Sequence, residues 1–213
     1  MQCLEANMST PENQLIIAIS REFGSGGKEI ALMLGKTYGI PVYEKNILSQ
    51  LGISRQEDMD ALKALDETPR WLIASRTVRG LTNSNEEMLA AMQFQFLRDE
   101  AEAGHSFIVL GHCAEEILRD NPALVTIFIS ADRKFKIPRI MEEHHLTEQE
   151  ALKMMKKHNK NRKAYHNYYC NNPWGDSRYY DLCLRSDVLG TKYCAVLIQD
   201  YIHLQRAKNN MNV

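Results

Sequence analysis

The stretch IAISREFGSGGKEIA, residues 17–31, joins an apolar run to a glycine cluster and then to a helical pattern. The run from Leu15 to Ser20 is rich in β-branched residues and predicts a buried strand. After the glycines, Ile30 and Leu34 are four residues apart, which predicts a helix that ends near Gly39. A glycine-rich turn between a strand and a helix directs backbone N–H groups and the positive end of the helix dipole at one point. We therefore expect an anion-binding site at this turn.

The glycine cluster partly matches the general phosphate-loop motif G-x-x-x-x-G-K-[ST]. Gly27 and Lys28 supply the end of the motif, but Glu22 stands at the first glycine position. Glu29 replaces the hydroxyl residue that binds Mg²⁺ in the general motif. By this motif alone, a phosphate loop and a simple tight turn between strand and helix both remain open.

The composition is that of an ordinary globular protein. The chain has 213 residues, of which 44% are hydrophobic and 25% charged, and its formal net charge is -1. We therefore expect one domain with an insertion, and the even charge balance does not favour a nucleic-acid or membrane partner. The longest apolar runs are far shorter than the roughly 20 residues of a membrane helix. The first residues lack the basic-then-apolar order of a secretory signal, so we expect a cytoplasmic protein.

The cysteines give no sign of a metal site or a redox motif. Five cysteines are scattered along the chain, and none forms a C-x-x-C pair. We interpret them as thiols packed like small hydrophobic groups. They are Cys3, Cys113, Cys170, Cys183 and Cys194.

Apolar strand patterns and helical patterns alternate along the rest of the chain. Further strands are predicted at 40–44, 106–111, 123–130 and 180–186, and helices at 85–103, 132–143, 145–169 and 192–208. Thr147 and Glu150 form a capping box, and Pro138 is expected to disturb its helix. The alternation predicts an α/β fold with a roughly five-stranded parallel sheet flanked by helices.

Four separated motifs together resemble the cytidylate kinase-like family, a branch of the P-loop nucleoside monophosphate kinases. In order they are ISREFGSGGKEIA, YGIPVYEKNIL, GHCAEEIL and NYYCNNPWGDSRYYDLCLRSDVLG, and the resemblance spans residues 14–200. The glycine loop of that family usually reads S-R-E-[FY]-G-S-G-G-[KR]-E-I, so Glu22 and Glu29 agree with it. The resemblance implies a three-layer P-loop kinase fold in a single domain over residues 14–208, after an N-terminal extension at 1–13. It also implies a helical acceptor-binding insertion at 45–103 and a lid segment at 144–178.

The resemblance implies phosphoryl transfer from ATP, with Mg²⁺, to a nucleoside monophosphate, CMP or dCMP being the inherited expectation. Lys28 would contact the β- and γ-phosphates of the donor and act as a catalytic residue. Glu29 would hold Mg²⁺ directly or through water. The expected donor-binding residues of the loop are Gly24, Ser25, Gly26, Gly27, Lys28 and Glu29.

The resemblance also points to residues outside the loop. Glu44 and Lys45, where the family tends to read Y-D-R-E, would contact the acceptor. His112, where the family commonly has an arginine, would lie near the acceptor phosphate. In the lid pattern D-K-x-R-x-x-Y-Y, Lys160 would contact ATP and Arg162 would stabilise charge on the transferred phosphoryl group.

Each of these residues also has a structural interpretation. Lys28 could be a surface lysine of the first helical turn, and Glu44 and Lys45 could cap the following helix. Lys160 and Arg162 could belong to the solvated face of a basic helix. A hydrogen-bonding role without catalysis is the favoured interpretation of His112.

Three departures from the family pattern bear on activity: His112 for arginine, Asn159 for aspartate and Glu44 for aspartate. An ATP-dependent nucleoside monophosphate kinase and a non-catalytic nucleotide-binding protein therefore both remain open. A third hypothesis, a single-stranded nucleic-acid surface over residues 153–180, is the least favoured because the net charge is near zero. The acceptor base and the oligomeric state are not readable from the sequence.

Overall fold

A central parallel sheet organises the molecule. The structure is a computed structural model that describes residues 14–44, 47 and 85–211. Within this part of the chain, five parallel strands pair in the order β2-β3-β1-β4-β5. The strands are β1 (Ile16–Arg21), β2 (Val42–Tyr43), β3 (Phe107–Leu110), β4 (Leu124–Ser130) and β5 (Leu182–Arg185). The predicted parallel sheet is therefore confirmed, and β1 lies at its centre.

Helices connect these strands. In the described residues they are α1 (Gly27–Tyr38), α2 (Asn85–Glu102), α3 (Ala114–Ile117), α4 (Arg133–His144), α5 (Glu148–Tyr169) and α6 (Ser186–Met211), with a short 3₁₀ turn at Ser177–Tyr179. The predicted acceptor-binding insertion lies largely outside the described residues, and α2 is its described part.

The helices cover both faces of the sheet because β1 presents apolar side chains on both. Ile17 and Ile19 pack in one core cluster with α1 and α6, and Ile16 and Ala18 pack in another with α2 and α3. All six residues of β1 are buried. Each fully buried isoleucine contributes about 1.5–3 kcal/mol through removal of apolar area from water.

Several predicted boundaries need correction. The second and fifth strands are shorter than predicted, and α4 continues through Pro138 to His144, contrary to the expected disturbance. The last helix begins at Ser186, before the predicted Lys192, although Gly190 has a non-helical backbone (φ 76°). In the described residues, no helix combines the length and the apolar character needed to cross a membrane.

The capping box at the start of α5 is confirmed. The Thr147 side chain accepts a hydrogen bond from the backbone N–H of Glu150, and the Glu150 carboxylate accepts one from the backbone N–H of Thr147 at 2.9 Å. These bonds satisfy two N–H groups that have no partner within the helix.

A buried polar cluster, here called the Glu115 cluster, ties α5 to the sheet; it consists of Ser20, Glu115, His166 and Tyr180. Glu115 Oε1 accepts hydrogen bonds from Ser20 Oγ at 2.9 Å and from the Tyr180 hydroxyl at 3.2 Å, and lies 3.0 Å from His166 Nε2. Burial alone would lower the pKa of His166, but contacts with the Cys170 thiol and the Glu115 carboxylate raise it to about 10. The imidazole is therefore protonated at neutral pH, and its pairing with Glu115 is a buried ion pair.

Candidate functional site

The loop between β1 and α1 has a preformed shape. Gly24 and Gly26 have φ angles of 82° and 79°, in the left-handed region that glycine adopts without strain. Ser25 Oγ donates to the Glu22 carbonyl at 2.8 Å, and Ser186 Oγ of α6 donates to the Ser25 carbonyl at 2.6 Å. The loop is therefore held in place by a hydrogen bond within the loop and by a second one from the start of α6.

Glu22, at the first glycine position of the general motif, anchors this loop to α4. Its Oε2 lies 2.6 Å from Nζ of Lys136, whose side chain is buried, and accepts the backbone N–H of Ala131 at 3.2 Å. A buried ammonium needs such a partner. Removing one member of a buried ion pair leaves the other charge unpaired and destabilises the fold by about 3–5 kcal/mol. Glu22 therefore has a structural role in this chain that the glycine of the general motif cannot perform.

The predicted lid segment contacts the loop directly. The backbone N–H of Phe23 donates to Oδ1 of Asn159 in α5 at 2.7 Å, and the Phe23 ring stacks on His158 with centroids 4.3 Å apart. The Arg162 guanidinium lies 5.6 Å from the centre of the same ring and donates to the Arg21 carbonyl at 3.0 Å. An asparagine accepts this loop hydrogen bond as an aspartate would, so Asn159 keeps the contact while removing a negative charge.

A cavity of about 570 Å³ opens above the loop. Its walls come from the loop, α1, α4, α5 and the end of β2. This volume lies within the range of small-molecule sites. The basic side chains that line it are Arg21, Lys28, Lys36, Arg139 and Arg162.

Lys28 and Glu44 lie together at the edge of this cavity. Lys28 Nζ is 2.7 Å from Glu44 Oε2, and the two side chains are 58% and 28% exposed. An ion pair this exposed contributes about 0–1 kcal/mol, so Lys28 can leave the carboxylate for a phosphate at little cost. The structure thus brings together the residues predicted to contact donor and acceptor.

Glu29 is held by two neighbours. Its Oε2 accepts from Arg139 Nη2 at 2.7 Å, and its Oε1 accepts from the Thr191 hydroxyl at 2.9 Å. In the described ranges, no group of three or more His, Cys, Asp or Glu side chains is placed to hold a metal ion. The side chains described here therefore do not form a complete Mg²⁺ site by themselves, and the role predicted for Glu29 in holding the ion stays a prediction.

His112 is a neutral hydrogen-bonding residue. Its Nε2 lies 3.2 Å from the Glu44 carbonyl, and its Nδ1 lies 3.1 Å from the Gln93 side-chain amide. A neutral imidazole has one donor nitrogen, so it donates to the Glu44 carbonyl through Nε2, and Nδ1 accepts when the Gln93 amide presents its NH₂ group. Burial lowers the pKa of His112 to about 4, although the hydrogen bond to the Glu44 backbone raises it in part. At neutral pH this side chain therefore does not supply the positive charge of the arginine found at this position in the family pattern.

The other predicted site residues are placed as follows. Gly24, Gly26 and Gly27 line the cavity, whereas Ser25 is fully buried beneath it. Lys160 is exposed on α5 and is not part of the cavity lining, so its contact with ATP stays a prediction. Lys45 lies outside the described residues.

Two cavity arginines, Arg21 and Arg139, were not predicted as site residues. Arg139 lies on α4, far from the glycine loop in the chain, and no sequence pattern predicts that it lines the cavity. Arg21 did carry a signal, because side chains two apart in a strand share a face. It continues the face of Ile17 and Ile19 as a charged residue directly before the glycine loop.

Comparisons with known proteins identify the family of the chain. The profile of the cytidylate kinase-like family matches residues 16–188. An uncharacterized protein from Eubacterium ventriosum ATCC 27560 has a similar structure, with a TM-score of 0.69, 38% identity and coverage of 89% of this chain and 99% of that chain. No protein of curated function matches the sequence significantly.

Other solved structures match at lower identity, and the first of them shares the fold. The protein APE1195 matches with a TM-score of 0.51 and 14% identity over 92% of this chain and 98% of that chain. Shikimate kinase from Bacteroides thetaiotaomicron matches with a TM-score of 0.49 and 12% identity over 89% of this chain and 98% of that chain.

Proposed function

Because the chain belongs to the cytidylate kinase-like family, we propose that it transfers the γ-phosphoryl group of ATP to a nucleoside monophosphate, CMP or dCMP. The coarser conclusion, that the chain is a P-loop kinase, follows from the family, from the five-stranded parallel sheet flanked by helices and from the glycine loop at the end of β1. The acceptor and the use of ATP belong to the proposal.

One observation carries the proposal: basic side chains from four elements converge on the cavity above the glycine loop. Arg21 comes from β1, Lys28 from α1, Arg139 from α4 and Arg162 from α5. Phosphoryl transfer depends mainly on positioning and on neutralising the charge of two phosphate groups, and such a set of cations supplies both.

The proposed reaction forms one bond and breaks another. An oxygen of the acceptor phosphate forms a bond to the γ-phosphorus of ATP, and the bond from that phosphorus to the bridging oxygen of ADP breaks. The products are ADP and a nucleoside diphosphate. Lys28 and the backbone N–H groups of the loop would hold the donor phosphates, and Arg162 would stabilise charge on the transferred group.

Mg²⁺ would enter this site bound to the phosphates of ATP, where it neutralises their charge. Glu29 is the loop carboxylate that would hold the ion directly or through water; each of its oxygens accepts one hydrogen bond, from Arg139 or from Thr191, and keeps a further lone pair.

The proposal is tested by measuring ADP release from ATP and Mg²⁺ with CMP, dCMP, UMP, AMP and GMP as acceptors. We expect release that depends on CMP or dCMP. The Lys28→Met variant should lower kcat by about 10²–10³-fold, since one preorganised cation at the phosphates is lost. Its stability should stay near that of the wild type, because Lys28 is more than half exposed.

Lys157→Met is the matched control, since this lysine is exposed on α5 and does not line the cavity. It should retain wild-type activity. ATP binding without turnover on any of the five acceptors would contradict the kinase proposal and favour a nucleotide-binding protein without catalysis.

A further inference from the structure

Arg21 is a buried cation that borders the cavity. The residue is 8% exposed, and within the described residues its guanidinium forms no hydrogen bond or ion pair. Arg21 lines the cavity, and its side-chain nitrogens are not among the fully buried polar atoms that lack a hydrogen-bond partner. The guanidinium therefore keeps some accessible surface beside the cavity, where a ligand can meet it.

The Arg21 side chain occupies space that is free only because two neighbouring residues are glycines. A Cβ atom added at Gly27 would lie 2.8 Å from Cβ of Arg21, and one added at Gly111 would lie 2.8 Å from its Nη1. Gly111 also has a φ of 82°, which other residues adopt only with strain. The guanidinium is thus packed into a defined position beside the end of β3.

The neighbouring charges do not neutralise Arg21. Burial and, to a smaller extent, the nearby Arg162 lower its pKa, Glu44 and Glu115 raise it, and the net result is a pKa of about 9. Each of these carboxylates already has another cation: Glu44 pairs with Lys28, and Glu115 pairs with His166. Two arginines therefore lie near each other without a carboxylate of their own, an arrangement that an added anion would stabilise.

The position of Arg21 indicates which anion would bind beside the two arginines. Its Nη1 lies against Gly111, one residue before His112, which is neutral and occupied by hydrogen bonds to Gln93 and Glu44. The family commonly has an arginine at position 112, and the resemblance implies that this arginine would lie near the acceptor phosphate. A planar guanidinium that can bind two phosphate oxygens at once lies beside this position in the folded chain.

We propose that Arg21, together with Arg162, binds the phosphate group of the nucleoside monophosphate acceptor and supplies the positive charge that His112 lacks. This inference rests on the proposed function, and it assigns the acceptor phosphate to the side of the cavity formed by the ends of β1 and β3. Lys28 and the loop amides then remain for the donor phosphates.

The test measures steady-state kinetics of Arg21→Gln with CMP and with ATP as the varied substrate. We expect the KM for CMP to rise by about 10- to 100-fold, because a charge-assisted hydrogen-bonding pair is lost, while the KM for ATP changes little. Arg21→Lys, which keeps the charge without the fork, should show a smaller rise. Arg119→Gln is the matched control, since Arg119 is an exposed arginine paired with Glu116 outside this cavity.

Thermal unfolding separates this role from a structural one. A structural arginine would lower the melting temperature when replaced, whereas loss of an unpaired buried charge should leave it equal or raise it. An unchanged KM for CMP in Arg21→Gln, or a KM for ATP that rises equally, would overturn the assignment while leaving the kinase function intact.

Binding without turnover is measured separately. Calorimetry with CMP, and thermal shifts with inorganic phosphate, are compared for the wild type and Arg21→Gln. If the wild type binds CMP without turnover and Arg21→Gln does not bind it, the arginine assignment is supported although the kinase proposal fails. If neither protein binds CMP or phosphate, the assignment is overturned.

Discussion

Ser20 and Arg21 are adjacent in β1, yet their side chains enter two different electrostatic environments on opposite faces of the sheet. Ser20 Oγ donates to Glu115, which is paired with the buried, protonated His166. Arg21 borders an open cavity, and its guanidinium forms no hydrogen bond or ion pair within the described residues. The Glu115 cluster thus uses its charges to hold elements together, while the cavity keeps cations available for a ligand.

The difference shows how the two kinds of polar site can be told apart. A buried charge that meets its counter-charge inside the chain belongs to the framework, and removing its partner damages the fold. A buried charge that faces a cavity without a counter-charge raises the free energy of the ligand-free fold, which a bound anion would offset. The same substitution should therefore have different effects in the two regions.

The largest expected effect on stability is that of Glu115→Gln. Removing this carboxylate leaves His166 buried without its counter-charge, so we expect the free energy of unfolding at neutral pH to fall by about 3–5 kcal/mol. Chemical denaturation measures this change. A loss below about 1 kcal/mol would show that the cluster does not support the fold in this way.

The second expected effect is a pH dependence that arises at His112. Its folded-state pKa is about 4, below the ordinary value of 6.5, because the ring is buried. Between about pH 6.5 and pH 4, the folded state therefore binds fewer protons than the unfolded state. The contribution of His112 to the free energy of unfolding is fully present above pH 6.5 and falls as the pH falls. The loss reaches about 3 kcal/mol by pH 4.

Denaturation curves of the wild type and His112→Gln between neutral pH and pH 4 isolate this contribution, since other groups titrate equally in both proteins. The wild type should lose more stability than the variant over that range. His166, with its raised pKa, has the opposite sign: its contribution is present below pH 6.5 and is lost as the pH rises towards 10. Equal acid slopes in the two proteins would contradict the prediction for His112.

The smallest expected effect on stability is that of Glu44→Gln, the counterpart of Glu115→Gln at the cavity. Its ion pair with Lys28 is exposed, so the free energy of unfolding should fall by no more than about 1 kcal/mol. Urea denaturation of the two glutamine variants in parallel tests the comparison directly. Similar losses in both would remove the distinction between framework and cavity.

The parts of the fold that local patterns specify could be predicted from the sequence. The apolar run of β1, the glycine loop and the capping box at Thr147 each depend on residues close together in the chain, and all three are found. The family resemblance identified Arg162, which lines the cavity. Lys160, two residues away and about 200° around the helix from Arg162, does not line the cavity, and its contact with ATP stays a prediction.

The rest of the site depends on contacts between distant parts of the chain. Glu22 meets Lys136, and Phe23 meets Asn159, across more than a hundred residues in each case. Nothing in the local sequence specifies these partners. Arg21 is different, because alternation along the strand places it with Ile19 on one face; a charged residue at that position indicated a site that motif matching alone did not find.

The bond between Glu22 and Lys136 has a consequence for protein engineering. A glycine loop looks like a module that could be grafted onto the first strand of any related scaffold. In this chain, however, the loop residue Glu22 pairs with Lys136 on α4, and the ammonium of this lysine is buried. A graft without that lysine would introduce a lone carboxylate, so the transferable unit here is a pair of distant segments.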